Sequence, residues 1–247
     1  SSKEILATKE LNKNFAKIIG AFMADGSLTV TFMLSSKTKT NLNPIKKKLE
    51  KNNTGYNMWH SKSRKEHSLA LTINRENYDK VKKIIQNYSK FVNIQSHYNL
   101  EITEGHKSNI EAFKKWIVNA FNILPNSYKK RGNAWRLIYP NKIIARYLMN
   151  FFNVIPGPKS HTAFEPAIIK NSSLEIRQSF ARGILMFDGS FSAGKIIFST
   201  KSSLLADSIK NILTKDGVKL GQNMNRGSYV LFTYEKNIKQ KYLRYFE

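Results

Sequence analysis

Apolar residues recur at helical spacing from Leu11 to Phe22, with Thr8 or Asn12 available as caps. They do so again from Leu174 to Phe187, behind a Ser-x-x-Glu capping box made by Ser172 and Glu175. Each run closes on a carboxylate with glycine next in line: Gly20 to Ser27 and Gly183 to Ser190 share Gly, Met, Asp, Gly and Ser at a constant offset. Downstream of the second run, the pattern predicts a strand over Lys195 to Thr200 and a helix over Ser203 to Leu213. A turn at Arg226, Gly227 and Ser228 then leads to a strand over Tyr229 to Tyr234 and a helix over Asn237 to Phe246. The same rhythm occupies the first half: strand Tyr98 to Thr103, helix Ile110 to Phe121, strand Ala134 to Tyr139, helix Ile143 to Phe152.

The chain therefore reads as an internal duplication, α+β in class, with two pseudo-symmetric ββαββα halves, each led by a helix ending in Asp. Residues 1–160 form the first half and a connector, and residues 161–247 the second half. The halves are unequal, because about residues 29–96 have no evident counterpart. That insertion contains a strand over Ser68 to Ile73, a helix over Tyr78 to Tyr88 and a basic stretch from Lys62 to Lys65. Pro156, Pro158 and Pro166, with Gly157 between the first two, mark the extended connector.

Composition narrows the partners. The 41 Lys and Arg against 17 Asp and Glu give a formal charge of +24, which attracts a polyanion strongly. A hydrophobic fraction of 41% with 15 Phe excludes a disordered basic tail, so a folded nucleic-acid-binding protein is expected. There is no Cys, so disulfides and thiolate metal sites are excluded, and the five His show no ligand-spaced pair that would suggest zinc. No apolar run approaches the roughly 18 residues of a membrane span, and no signal peptide opens the sequence; a soluble intracellular protein is expected.

Candidate chemistry centres on Asp25 and Asp188. A carboxylate at a helix C-terminus faces unsatisfied carbonyls and is destabilised there unless a cation compensates it. One such Asp before Gly is an ordinary turn; two at matched places in duplicated halves point to paired metal ligands.

These features resemble the LAGLIDADG homing endonucleases in their single-chain, double-motif form, with Ile18 to Gly26 and Ala181 to Gly189 as the motif cores. The connector, from Lys142 to Leu148 and then Pro156 to Lys159, is similar to that of archaeal intron and intein endonucleases. The resemblance implies two sheets forming a saddle on double-stranded DNA and a metal-dependent hydrolysis of phosphodiester bonds at a long asymmetric site by a monomer. It implies no membrane and no small-molecule substrate. The implied metal ligands are Asp25 and Asp188 with the backbone of Ala24 and Phe187, and the implied ion is Mg²⁺, with Mn²⁺ or Ca²⁺ able to stand in its place. Gly20, Ala24 and Gly183 suit close helix packing, whereas Phe187 stands where the motif is usually small.

Lys107 and Lys201 match the basic residues near each scissile phosphate, with Glu104 as a polar partner of the first. Arg131, Asn133, Arg136, Lys195, Gln222, Asn223, Asn225 and Arg226 are placed for base readout, and Lys62, Arg64 and Lys65 with Trp59 for DNA contact by the insertion. An intron RNA maturase and a catalytically inactive DNA-binding protein are the alternatives on this scaffold.

Overall fold

The computed structural model describes residues 11–61, 65–73, 77–192, 195–235 and 242. The chain forms two compact units: residues 1–27, 101–139 and 159–247 make the first, and residues 28–100 and 140–158 the second.

Helix α1 (Lys13–Asp25) starts at Asn12, whose Oδ1 accepts from the backbone N–H of Asn14 and Phe15, both at 3.0 Å. It is apolar almost all round, with Phe15, Ile18, Ile19, Phe22 and Met23 buried, as a helix at the centre of a core must be. Its partner α7 (Leu174–Asp188) is buried in the same way through Phe180, Ile184, Leu185 and Met186. Here the expected capping box gives way to a different start. The N-cap is Ser173, which makes no side-chain cap bond, while Ser172 Oγ donates at 2.6 Å to the carbonyl of Ile168 in the short helix α6 (Ala167–Lys170). Glu175 instead pairs with Lys13 of α1 at 2.8 Å.

Both motif helices run straight into strands. Gly26 opens β1 (Gly26–Ser36) and Gly189 opens β7 (Gly189–Ser192), each in extended rather than left-handed conformation. Glycine is needed there for space: a Cβ on Gly189 would lie 2.2 Å from the Leu185 carbonyl oxygen, and one on Gly26 2.7 Å from that of Phe22.

In the first unit, β7 is followed by β8 (Lys195–Thr200), α8 (Ser203–Lys215), β9 (Gly221–Asn225) and β10 (Ser228–Thr233), with strand order β7-β8-β10-β9. Ile196, Phe198, Leu231 and Thr233 turn inward, and Ser202 caps α8 by accepting from the Leu205 N–H. The final helix expected over Asn237 to Phe246 lies outside the described residues apart from Tyr242, which is buried and donates to Asp216 at 2.7 Å. The same unit holds the last four residues of β4 (Asn93–Glu104), then α4 (Lys107–Phe121), β5 (Ser127–Arg131) and β6 (Ala134–Tyr139).

The second unit contains β1 beyond Ser27, α2 (Asn43–Lys51), β2 (Asn57–Ser61), β3 (Glu66–Ile73), α3 (Tyr78–Gln86), the first part of β4, and α5 (Lys142–Phe152). Its strands lie in the order β2-β3-β1-β4. Val30, Phe32 and Leu34 of β1 alternate inward with Leu69 and Leu71 of β3, over Ile45 and Leu49 of α2 and Val81 and Ile85 of α3.

This topology narrows the insertion. Strand β1 follows α1 as β7 follows α7, and β4 precedes α4 as β8 precedes α8. Residues 29–36 and 93–96 therefore belong to the repeat, and the part without a counterpart is α2, β2, β3 and α3 between them. Strand β1 alternates Leu28, Val30, Phe32 and Leu34 inward with Thr29, Thr31 and Ser35 outward, a period of two broken only by the outer Met33.

Candidate active site

The two motif helices approach to backbone contact at their glycines. A Cβ on Gly20 would fall 2.1 Å from the Phe180 carbonyl oxygen, and one on Gly183 would fall 2.2 Å from that of Lys17. Phe187 does not obstruct this approach: its ring leaves the helix pair and meets Phe113 of α4 edge-on, with centroids 6.1 Å apart.

That packing carries Asp25 and Asp188 into one electrostatic environment. Burial pushes the Asp25 carboxyl up to about 8, reinforced by the charges of Asp188 and Glu104 and opposed by Lys159. Burial also pushes Asp188 up to about 6, with Lys159 lowering it and Glu104 raising it. Glu104, at the end of β4, is itself buried. One of its oxygens accepts the His106 N–H at 2.8 Å. The other has no donor unless the Asp25 carboxyl carries a proton toward it. Three carboxyl groups thus share the pole formed by the two helix ends.

The cation acting on both aspartates is Lys159, from the connector. Its ammonium donates to the Met23 carbonyl at 2.9 Å and the Ala24 carbonyl at 2.8 Å, and lies 5.5 Å from the Phe22 ring centroid. Desolvation pulls its pKa down to about 8, against the pull of the two aspartates. The α7 end is held differently. Asn109 of α4, fully buried, donates from Nδ2 to the Met186 carbonyl at 2.7 Å.

Sequence reasoning gave Lys159 and Asn109 no role and made Glu104 only a partner of Lys107. Nothing local marks these residues, since their contacts span 136 and 77 positions of chain. The one hint was a lysine following a rigid Gly-Pro pair in the connector.

Lys107 begins α4, with its ammonium 5.2 Å from the Trp135 ring centroid, and Lys201 is exposed just ahead of α8. Arg131 and Asn133 are exposed at the β5–β6 hairpin, while Arg136 is ion-paired to Glu101. On the second sheet, Asn223 and Asn225 share the outer face with Lys195; Arg226 occupies the β9–β10 turn at φ +48°. Gln222 falls on the opposite, helix-facing side, across from Leu231, and accepts from Lys210 of α8 at 2.9 Å. The strand's alternation puts it there, not beside its neighbour Asn223. Lys65 is exposed in the left-handed region at φ +51°; Lys62, Arg64 and the Trp59 side chain lie outside the described residues.

The donors suit a hard divalent ion: carboxylate and carbonyl oxygens, with no sulfur or imidazole. Among the described residues no three His, Asp or Glu side chains form a metal cage. A cation there would need oxygens beyond these side chains.

Two helices packed at glycine and ending in Asp, each leading into a β-β-α-β-β unit, define the fold of the single-chain, double-motif LAGLIDADG homing endonucleases, as the sequence resemblance implied. The solved structures that share it include the homing endonuclease I-DmoI. The crystal structure of I-DmoI in complex with DNA and Mn aligns with a TM-score of 0.51 at 13% identity, covering 95% of this chain and 96% of that one. I-DmoI in complex with DNA and Ca aligns with the same score and identity over 94% of this chain and 87% of that one, as do its mesophilic variants. Neither the protein-family models nor the curated protein sequences contain a match. Among the described residues no helix is long and apolar enough to cross a membrane.

Proposed function

We propose that this protein is a sequence-specific endonuclease that hydrolyses both strands of double-stranded DNA at a long, asymmetric site, acting as a monomer with a divalent cation. The observation that carries this reading is the pairing of Asp25 and Asp188 at one glycine-packed helix crossing, where burial raises both carboxyls and the Asp188 charge raises Asp25 further. Such a pair is a costly way to build a core and a good way to prepare a cation site.

Asp25 and Asp188, with the carbonyls of Ala24 and Phe187, are the groups that would hold the ion. The Ala24 carbonyl already accepts from Lys159 and keeps a second lone pair. Among the described residues too few side-chain ligands converge to satisfy a divalent ion alone, so phosphate oxygens of the substrate are suited to complete the shell. When bound, the ion supplies activation of water and stabilisation of the leaving oxygen.

The chain's own residues do the rest. Lys159 holds two helix-terminal carbonyls and lends its positive charge to both aspartates. Glu104 adds a buried acceptor beside Asp25. Lys107, the first residue of α4, and Lys201, two residues ahead of α8, would serve as phosphate contacts. Arg131, Asn133, Arg136, Lys195, Asn223, Asn225 and Arg226 serve base and backbone contact. The +24 charge provides affinity for the duplex independently of sequence.

The test is incubation with Mg²⁺ and DNA carrying the uninterrupted form of the gene's own insertion point. Cleavage of both strands at one place is expected. Absence of any cut, with tight binding to intron RNA, would move the reading to a maturase.

A further inference from the structure

The outer faces of the two halves differ chemically. On β5 and β6 the outward residues include Lys129, Arg131 and Arg136. On the second sheet the outward row at the centre is apolar. Ile197 of β8 stands opposite Phe232 of β10, which stands opposite Gly221 of β9, and Val230 lies two residues from Phe232 on the same face. All three apolar side chains are part-exposed, while their strand neighbours Phe198 and Leu231 are buried on the helix side. Phe232 lies across β9, because a Cβ on Gly221 would be 2.3 Å from its ring tip. Glycine at that place lets the ring rest on the sheet. The Lys195 ammonium lies 5.2 Å from the Phe232 centroid and 5.7 Å from that of Tyr234.

Resting on the DNA-binding reading above, we propose that this face selects thymine: Ile197, Phe232 and Val230 meet the 5-methyl groups of thymines in the major groove. The argument is chemical. Of the groups that bases present in the major groove, the thymine methyl is the one projecting apolar group; cytosine has only a hydrogen at that position, and the rest are chiefly hydrogen-bond donors or acceptors. An apolar side chain pressed on a donor or acceptor would bury it unsatisfied, which costs free energy, whereas pressed on a methyl it gains contact. Neighbouring strands lie about 4.8 Å apart and successive bases about 3.4 Å apart, so side chains on adjacent strands reach adjacent or next-but-one thymines.

The surroundings favour nucleic acid over a protein partner. Lys195, Asn223 and Asn225 frame the patch on the same face, Arg226 stands at the adjoining turn, and the whole chain is +24. The half-site met by this sheet is therefore thymine-rich, and the half-site met by Arg131 is not bound by that rule.

The experiment uses the full chain without divalent cation, so that bound DNA stays intact, and two randomised duplex libraries. One contains thymidine, and the other contains deoxyuridine throughout, which removes only the methyl. The expected result is a block of thymines at a fixed place in the sites enriched from the first library and no preference there in the second. Uracil placed singly at those positions of an enriched site should weaken binding about fourfold per methyl. Phe232→Ala and Ile197→Thr should relax that block while leaving preferences elsewhere intact, with thermal unfolding confirming that each variant folds. Equal enrichment of the block from both libraries, or no thymine block at all, overturns the proposal while leaving sequence-specific DNA binding in place. Failure of both libraries to enrich any sequence would instead remove the DNA-reading function itself, and the thymine selection with it.

Discussion

Lys159 donates to the Ala24 carbonyl at 2.8 Å across 135 residues of chain, which places a connector ammonium at the acidic end of the first motif helix. It is the internal counter-charge that lets Asp25 and Asp188 share a buried position without bound metal. Lys159→Met, close in shape but without charge, should lower the melting temperature of the metal-free protein by several degrees, about what 1–2 kcal/mol corresponds to. Mg²⁺ or Mn²⁺ should restore more stability to this variant than to the parent. Equal melting temperatures without metal would show that the ammonium contributes nothing there.

The metal-free protein should lose stability as pH rises from about 5 to 8. Folded Asp25 keeps its proton up to about 8, while in the unfolded chain it ionises near its ordinary value of 3.8, so the unfolded state binds fewer protons across that window. Lys159 acts in the opposite sense above it. Its folded pKa is about 8 against an ordinary 10.5, so its contribution rises with pH between those values. A stability minimum near pH 8 is expected in urea titrations, and Asp25→Asn should flatten the lower limb. A parent curve that climbs steadily from pH 5 to 8 would contradict the assignment.

Asp25→Asn or Asp188→Asn should abolish double-strand cleavage and leave DNA affinity at or slightly above that of the parent. The charge removed anchors the cation, while affinity comes from Lys and Arg elsewhere. Gel-shift and cleavage assays on the same duplex separate the two effects; wild-type cleavage by either variant would withdraw the catalytic role.

The helix crossing leaves no room for a methyl group. Gly20→Ala and Gly183→Ala each drive a Cβ to within 2.2 Å of a carbonyl oxygen on the facing helix. Each should destabilise by about 1–3 kcal/mol or more, because backbone cannot rotate away as a side chain can. Urea midpoints measure this, and a neutral result at either glycine would mean that the helices can separate freely.

Replacing Lys62, Arg64 and Lys65 together with Ala tests the insertion. If all three contact phosphate, binding should weaken across unrelated sequences and the slope of log affinity against log salt should shrink by about 2–3. Cleavage at saturating protein should persist. An unchanged slope would make that stretch ordinary surface.

The sequence by itself determined the parts that near neighbours control. Helical spacing from Leu11 to Phe22 and from Leu174 to Phe187, alternation over Ala134 to Tyr139 and Lys195 to Thr200, and the two Asp-Gly endings all follow from local sterics and the burial of one face, and all appear in the fold. Tertiary structure decided what depends on elements meeting. It brought Lys159 and Glu104 to the aspartates, turned Phe187 toward Phe113, and moved the cap of α7 from Ser172 to Ser173. The physical reason is range. A residue's helix or strand preference is settled within a few positions, whereas the free energy of a buried charge or a backbone contact depends on groups that only packing brings within a few ångströms.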